Sequence, residues 1–213
     1  MISKLFSLVS AFYIIFVSIT SATNTTDRIV QISNSVFTSN LRQGYHVFRK
    51  YQETTAFELS SSSDVFVKIP GLTLGTHHSQ PMVYQLQFQG TCQQHSPATH
   101  SFIRFLVDNR VLISNYLLPN NDRRQALAPE LGISNVDVDY RGGSMSYGAL
   151  TTAAIPCPKS DLILLKGGTH IIEVASRFVT NGKLYIYGGE LTVQMMQYQV
   201  GTNITIPSPI IRE

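Results

Sequence analysis

The sequence predicts an all-β protein, an antiparallel β-sandwich of jelly-roll type interrupted by one long irregular excursion over about 115–154. Three observations carry this reading. Short apolar segments with a period of two recur along the chain, separated by turn residues. Helical periodicity is almost absent. Charged residues make up only 14% of the chain while Thr, Ser, Gln and Tyr are abundant, a balance that suits strands of an extracellular protein.

The first residues, MISK, are followed by an uncharged apolar run from Leu5 to about Ile19 and then by Thr20, Ser21 and Ala22. A cationic start, an apolar core and small residues before a cut site describe a secretory signal peptide over 1–22. A membrane anchor fits less well, because Ser7, Ser10 and Ser18 dilute the run and it falls short of the ~20 residues a span needs. No stable membrane span is expected after cleavage. The expected organisation is therefore signal peptide 1–22, one sandwich domain over 23–200 and an extended tail over 201–213. Cleavage removes Lys4 alone among the charges, so 16 Lys and Arg against 13 Asp and Glu become 15 against 13, and the net charge falls from +3 to +2. Scattered basic residues in so neutral a chain give no footprint for nucleic acid.

Taken in order, Arg28–Phe37 reads as a weak first strand, followed by weak strands over Tyr45–Tyr51 and Thr54–Leu59. Val65–Ile69 alternates and is expected to stop at Pro70-Gly71. Thr73–Pro81 reads as a loop holding His77 and His78, neighbours that would point to opposite sides of an extended chain. The clearest unit is Val83–Ser114. In VYQLQFQGTC, Tyr84, Leu86 and Phe88 alternate with Gln85, Gln87 and Gln89, giving one dry and one wet face. Asp108-Asn109 joins the runs SFIRFLV and RVLIS, and both residues tolerate the positive φ of a two-residue hairpin turn. Within the excursion, NNDRRQALAPEL allows one or two helical turns after an Asn/Asp cap, limited by Pro129. Strands return at Asp161, Lys166-Gly167-Gly168 turns the chain, and Thr169–Phe178 places Ile172, Val174, Ser176 and Phe178 opposite Ile171, Glu173, Ala175 and Arg177. Asn181-Gly182 is a strong hairpin signal, and Gly188-Gly189 marks a bulge or kink in the last strand.

Cys92 and Cys157 are the only cysteines, and in a secreted chain they have one possible pairing, a disulfide. Asn24 and Asn203 head glycosylation sequons. Asn135, Asp137 and Asp139 fall at every second residue, as the start of a calcium loop does, but Tyr140 and Ser146 stand where Gly and Glu are needed. On a strand the three would form a wet face, with Val136 and Val138 inward. Cys92, His95 and His100 have metal-like spacing, although Cys92 is committed to the disulfide. In GGSMSYG, Ser144 stands where the nucleophile elbow requires Gly, and His170 with Asp161 is a base–acid pair of no special spacing. Tyr185 and Tyr187 share a strand face and could stack on a sugar or a partner, or simply cap the sheet edge. The strand succession, ending in a hairpin and a long last strand, is similar in rhythm to C1q- and TNF-type ectodomains over about half the chain, without a diagnostic motif. The functional expectation is a secreted, non-enzymatic binding module for an extracellular protein or glycan. A self-associating structural subunit, a homo-oligomer, is the alternative, and a hydrolase or metal-dependent enzyme comes third. No cofactor is expected, apart from a calcium ion at the 135–139 site.

Overall fold

The computed structural model describes residues 42–95, 100–133, 136–143, 145–146, 153–179, 182–198 and 205–213. The chain divides into two compact units, 1–43 with 198–202, and 44–197 with 203–213. Of the first, only Arg42, Gln43 and Tyr198 fall among the described residues, so the account concerns the second.

The strands are β1 (Arg42–Tyr51), β2 (Ala56–Leu59), β3 (Val67–His78), β4 (Met82–His95), β5 (His100–Val107), β6 (Arg110–Ile113), β7 (Tyr116–Pro119), β8 (Met145–Ser146), β9 (Ala154–Pro156), β10 (Lys159–Leu165), β11 (Gly168–Phe178), β12 (Lys183–Tyr198) and β13 (Ile210–Ile211). Sheet A has the order β1-β12-β4-β10, with β2 beside β12 and β9 beside β4. Sheet B has the order β13-β7-β6-β5-β11-β3, with β8 beside β5. From β3 to β5, and again from β10 to β12, successive strands lie in opposite sheets, which is the winding of a jelly roll. The alternation of β4 holds: Tyr84, Leu86 and Phe88 face inward and meet Phe105, Ile172, Val174, Leu191 and Val193 in one core. Each such side chain contributes roughly 1.5–3 kcal/mol of burial. The Cys92–Cys157 disulfide lies in that core with Cα atoms 5.7 Å apart and ties β4 to the segment between β9 and β10. Asp108 and Asn109 adopt φ of 53° and 64°, as the β5–β6 hairpin requires.

Three expectations are corrected. Pro70-Gly71 does not end a strand. The register of β3 against β11 shifts between Glu173 and Ala175, so the pair forms a bulge inside one twelve-residue strand. Gly71, at φ 84°, lets the backbone approach Tyr51, where an added Cβ would lie 2.3 Å from the carbonyl oxygen. Consequently His77 and His78 stand on β3 and not in a loop. Asn181 of the Asn181-Gly182 signal lies outside the described residues, and the strands on either side do not pair, since β11 belongs to sheet B and β12 to sheet A. Both sides of β11 are already taken by β3 and β5. The tail is extended and docks, with β13 parallel to β7 and Arg110 holding Glu213 at 2.8 Å. The bulge at Gly188-Gly189 is present, between Tyr187 and Glu190. The weak strand expected over Arg28–Phe37 and the signal peptide lie outside the described residues.

Candidate functional site

A two-sheet sandwich has two outer faces, and here they differ. The outer face of sheet B is covered over β5, β6 and β7, while towards its β3 edge Thr73, Gly75, His77 and Ile171 stand exposed. Strands β5, β6 and β7 are apolar on both sides, and their outward Phe102, Leu106, Val111 and Leu118 pack under Leu127, Leu131 and Val138 of the excursion. The cover is built from α1 (Arg123–Ala126), capped by the Asp122 side chain, and two 3-10 turns, Pro129–Leu131 and Val138–Tyr140. A charge cluster fastens it. Arg124 donates twice to Asp139, at 2.9 Å through Nε and 2.9 Å through a terminal nitrogen, and also reaches the Asp64 and Asn121 carbonyls. Arg177 of β11 donates to Asp139 and Asp137, and Arg104 of β5 donates to the Asp139 and Gly143 carbonyls. Arg104, Arg124, Arg177 and Asp139 are each no more than 2% exposed. Phe66 and Phe102 lie beneath the guanidinium groups at 5.0–5.7 Å. Burial pushes the Arg104 guanidinium down to about 10. Burial also pushes Asp137 up, but hydrogen bonds from the Asp139 N–H, Gln125 and Arg177 outweigh it and hold the carboxyl below its ordinary value.

This cluster changes the reading of 135–139. Asn135 lies outside the described residues. Asp137 and Asp139 sit at a 3-10 turn and not on a strand, so the wet-face expectation fails: Val136 is exposed while Asp139 is buried. Their carboxylates are engaged by guanidinium groups, which occupy the oxygens a calcium ion would need. Among the described residues, no group of three or more His, Cys, Asp and Glu side chains gathers to hold a metal. His95 packs edge-on against Tyr185 and His100 against Tyr140, and Cys92 is in the disulfide, so those three do not converge. His170 pairs with Asp108 at 2.9 Å and not with Asp161, which holds Lys159. Asn24 and Asn203 lie outside the described residues, as does Ser144.

The outer face of sheet A is built differently. Along β4 it presents Gln85, Gln87, Gln89, Thr91 and Gln93; along β12, beside them in register, Gln194, Thr192, Glu190, Tyr187 and Tyr185. Glu190 is the one carboxylate in these two rows, and it faces Arg49 of β1 at 3.5 Å. Tyr45 of β1 donates to Gln194 at 2.7 Å, and Tyr187 donates to Gln93 at 2.8 Å. The Tyr185 and Tyr187 rings lie 6.2 Å apart and nearly parallel, at 14°. Both are partly exposed. The bulge at Gly188-Gly189 switches strand parity, so both halves of β12 keep their polar side outward. Sequence reasoning found the tyrosine pair and the glutamine row. It missed the buried arginines, although the mostly apolar runs FIRFLV, broken only by Arg104 itself, and YLLP mark strands covered on both faces.

No protein-family model matches the sequence, and no curated protein matches it. Among solved structures, the chain is similar to the Eiger TNF from S. frugiperda, at 12% identity and a TM-score of 0.39, over 76% of this chain and 99% of that one. It is also similar to dimeric latent PorU from Porphyromonas gingivalis (7% identity, TM-score 0.32, 80% of this chain and 14% of that one). A third likeness is to the Gx strain of infectious bursal disease virus (7% identity, TM-score 0.28, 75% and 38%). All of these scores are low, and the sandwich is defined by the strand order of the chain itself.

Proposed function

We propose that this chain is a secreted, non-enzymatic binding module that recognises a protein or glycan ligand with the outer face of sheet A. The observation that carries the reading is the contrast between the faces: over β5–β7 sheet B lies under a salt-bridged cover, while among the described residues the β4 and β12 rows of sheet A are polar, hold Glu190 as their one carboxylate and bear two nearly parallel tyrosines. Tyrosine offers apolar area with a hydroxyl and loses little entropy on binding, which suits protein and sugar surfaces alike. The disulfide and the apolar N-terminal run support an extracellular setting. Among the described residues, no helix is long and apolar enough to cross a membrane.

The test is a binding screen of the tetramerised mature chain on arrays of extracellular proteins and of glycans. Any ligand found is then retested with Tyr185→Ala/Tyr187→Ala and with Glu130→Lys on the cover. The double variant loses at least about tenfold in affinity and the cover variant loses none; the reverse order would refute the assignment. A second reading, self-association through the same face, is favoured by its apolar corner, where Leu162 is 48% exposed beside Leu164 on β10. Light scattering across a concentration series distinguishes the two.

A further inference from the structure

At the edge where β1 of sheet A faces β3 of sheet B, the sandwich opens onto a cavity of about 400 Å³, lined by His46, Phe48, Thr76, His78, Met82 and Met195. Met82 and Met195 point inward and are each only 4% exposed. They flank one aromatic ring, since Met195 pairs with Tyr84 across the strands and Met82 lies two residues before it. His78 packs on the same ring, 5.6 Å from Tyr84. Its Nδ1 donates to the Gln80 carbonyl at 2.6 Å, which fixes the neutral tautomer and leaves a lone pair on Nε2. That Nε2 is buried and has no hydrogen-bond partner. The neighbours are occupied elsewhere: the Tyr84 hydroxyl with Thr76, and the His170 nitrogens with Asp108 and the Lys166 carbonyl.

A buried imidazole nitrogen, oriented by a carbonyl on its other nitrogen, is how proteins present a histidine to a metal. Thioethers are soft donors, and with no carboxylate in the lining the set favours a soft, monovalent ion over calcium, magnesium or zinc. We propose that the mature chain binds one cuprous ion here, through His78 Nε2 and the sulfurs of Met82 and Met195. Methionine's three rotatable bonds let both sulfurs turn towards the nitrogen.

The test is anaerobic competition of the mature chain against the Cu(I)–bicinchoninate complex, with methionine methyl NMR in parallel. The chain withdraws one equivalent of copper, and the Met82 and Met195 methyl signals shift while that of Met196 does not. His78→Ala weakens binding about 100-fold. Met82→Leu/Met195→Leu, which conserves core volume and so keeps the fold, weakens it comparably. Absence of copper uptake, uptake indifferent to these variants, or tighter binding of zinc with both methyl signals unmoved would each overturn the proposal.

Discussion

Replacing Asp139 by Asn tests whether the charge cluster fastens the cover to sheet B. The substitution keeps the shape but removes the charge that meets Arg124 and Arg177, both buried within 2% exposure. Removing one partner of a buried ion pair costs about 3–5 kcal/mol, because the other charges remain desolvated. Arg124 loses its only carboxylate partner, while Arg177 keeps Asp137, so the middle of that range applies. At roughly 2–4 °C per kcal/mol for a domain of this size, the melting temperature falls by about 10–15 °C. The assay is urea unfolding followed by circular dichroism, with Glu213→Gln as the control. Glu213 forms an ion pair with Arg110 in which its own side chain is 81% exposed, and such pairs are worth about 0–1 kcal/mol. If Asp139→Asn loses less than about 1 kcal/mol, the cluster does not hold the cover and the sealed-face argument fails.

Three further outcomes follow from the same structure. Removing the disulfide with Cys92→Ala/Cys157→Ala lowers stability by about 2–5 kcal/mol, measured by the same unfolding curves, with the strand signal in circular dichroism retained. At Asn109, φ 64°, substitution by Gly is neutral or stabilising, while Val costs about 1–2 kcal/mol because a β-branched residue resists that backbone region. For pH, Asp137 is held below its ordinary value in the folded chain, so its contribution is present above the unfolded pKa of about 3.9 and is lost as pH falls through the folded value. Thermal melts from neutral to strongly acidic pH should therefore lose more stability below about pH 4 in the wild type than in Asp137→Asn; equal slopes would contradict the sign.

Much of this architecture is legible in the sequence, for identifiable reasons. The alternation of VYQLQFQ announces one wet face, and Asp108-Asn109 announces a hairpin, because each signal is local and is decided by two or three residues. The double-glycine bulge was readable in the same way. Asn-Gly misleads because a turn signal says that the chain reverses, not which sheet the next strand joins. Pro-Gly misleads because β3 absorbs it as a bulge beside Glu53, whose N–H takes the Pro70 carbonyl. The buried cluster is harder still. NNDRRQALAPEL reads as one or two helical turns after a cap, and nothing local says that Arg124 meets Asp139 fifteen residues on, or that Asp139 also meets Arg177 of β11. The tyrosine pair was visible by spacing, but the contrast between its face and the β5–β7 face depended on what packs over the latter.

The claim that sheet A recognises the ligand is tested most directly by site-specific photo-crosslinking. A benzoylphenylalanine is placed at Gln87, in the middle of the open face, and in a second protein at Glu130 on the cover of sheet B. Each mature protein is irradiated on the surface of cells that bind the tetramer. The account expects a discrete adduct from position 87 and none from position 130. An adduct from position 130 alone would place recognition on the cover and contradict it.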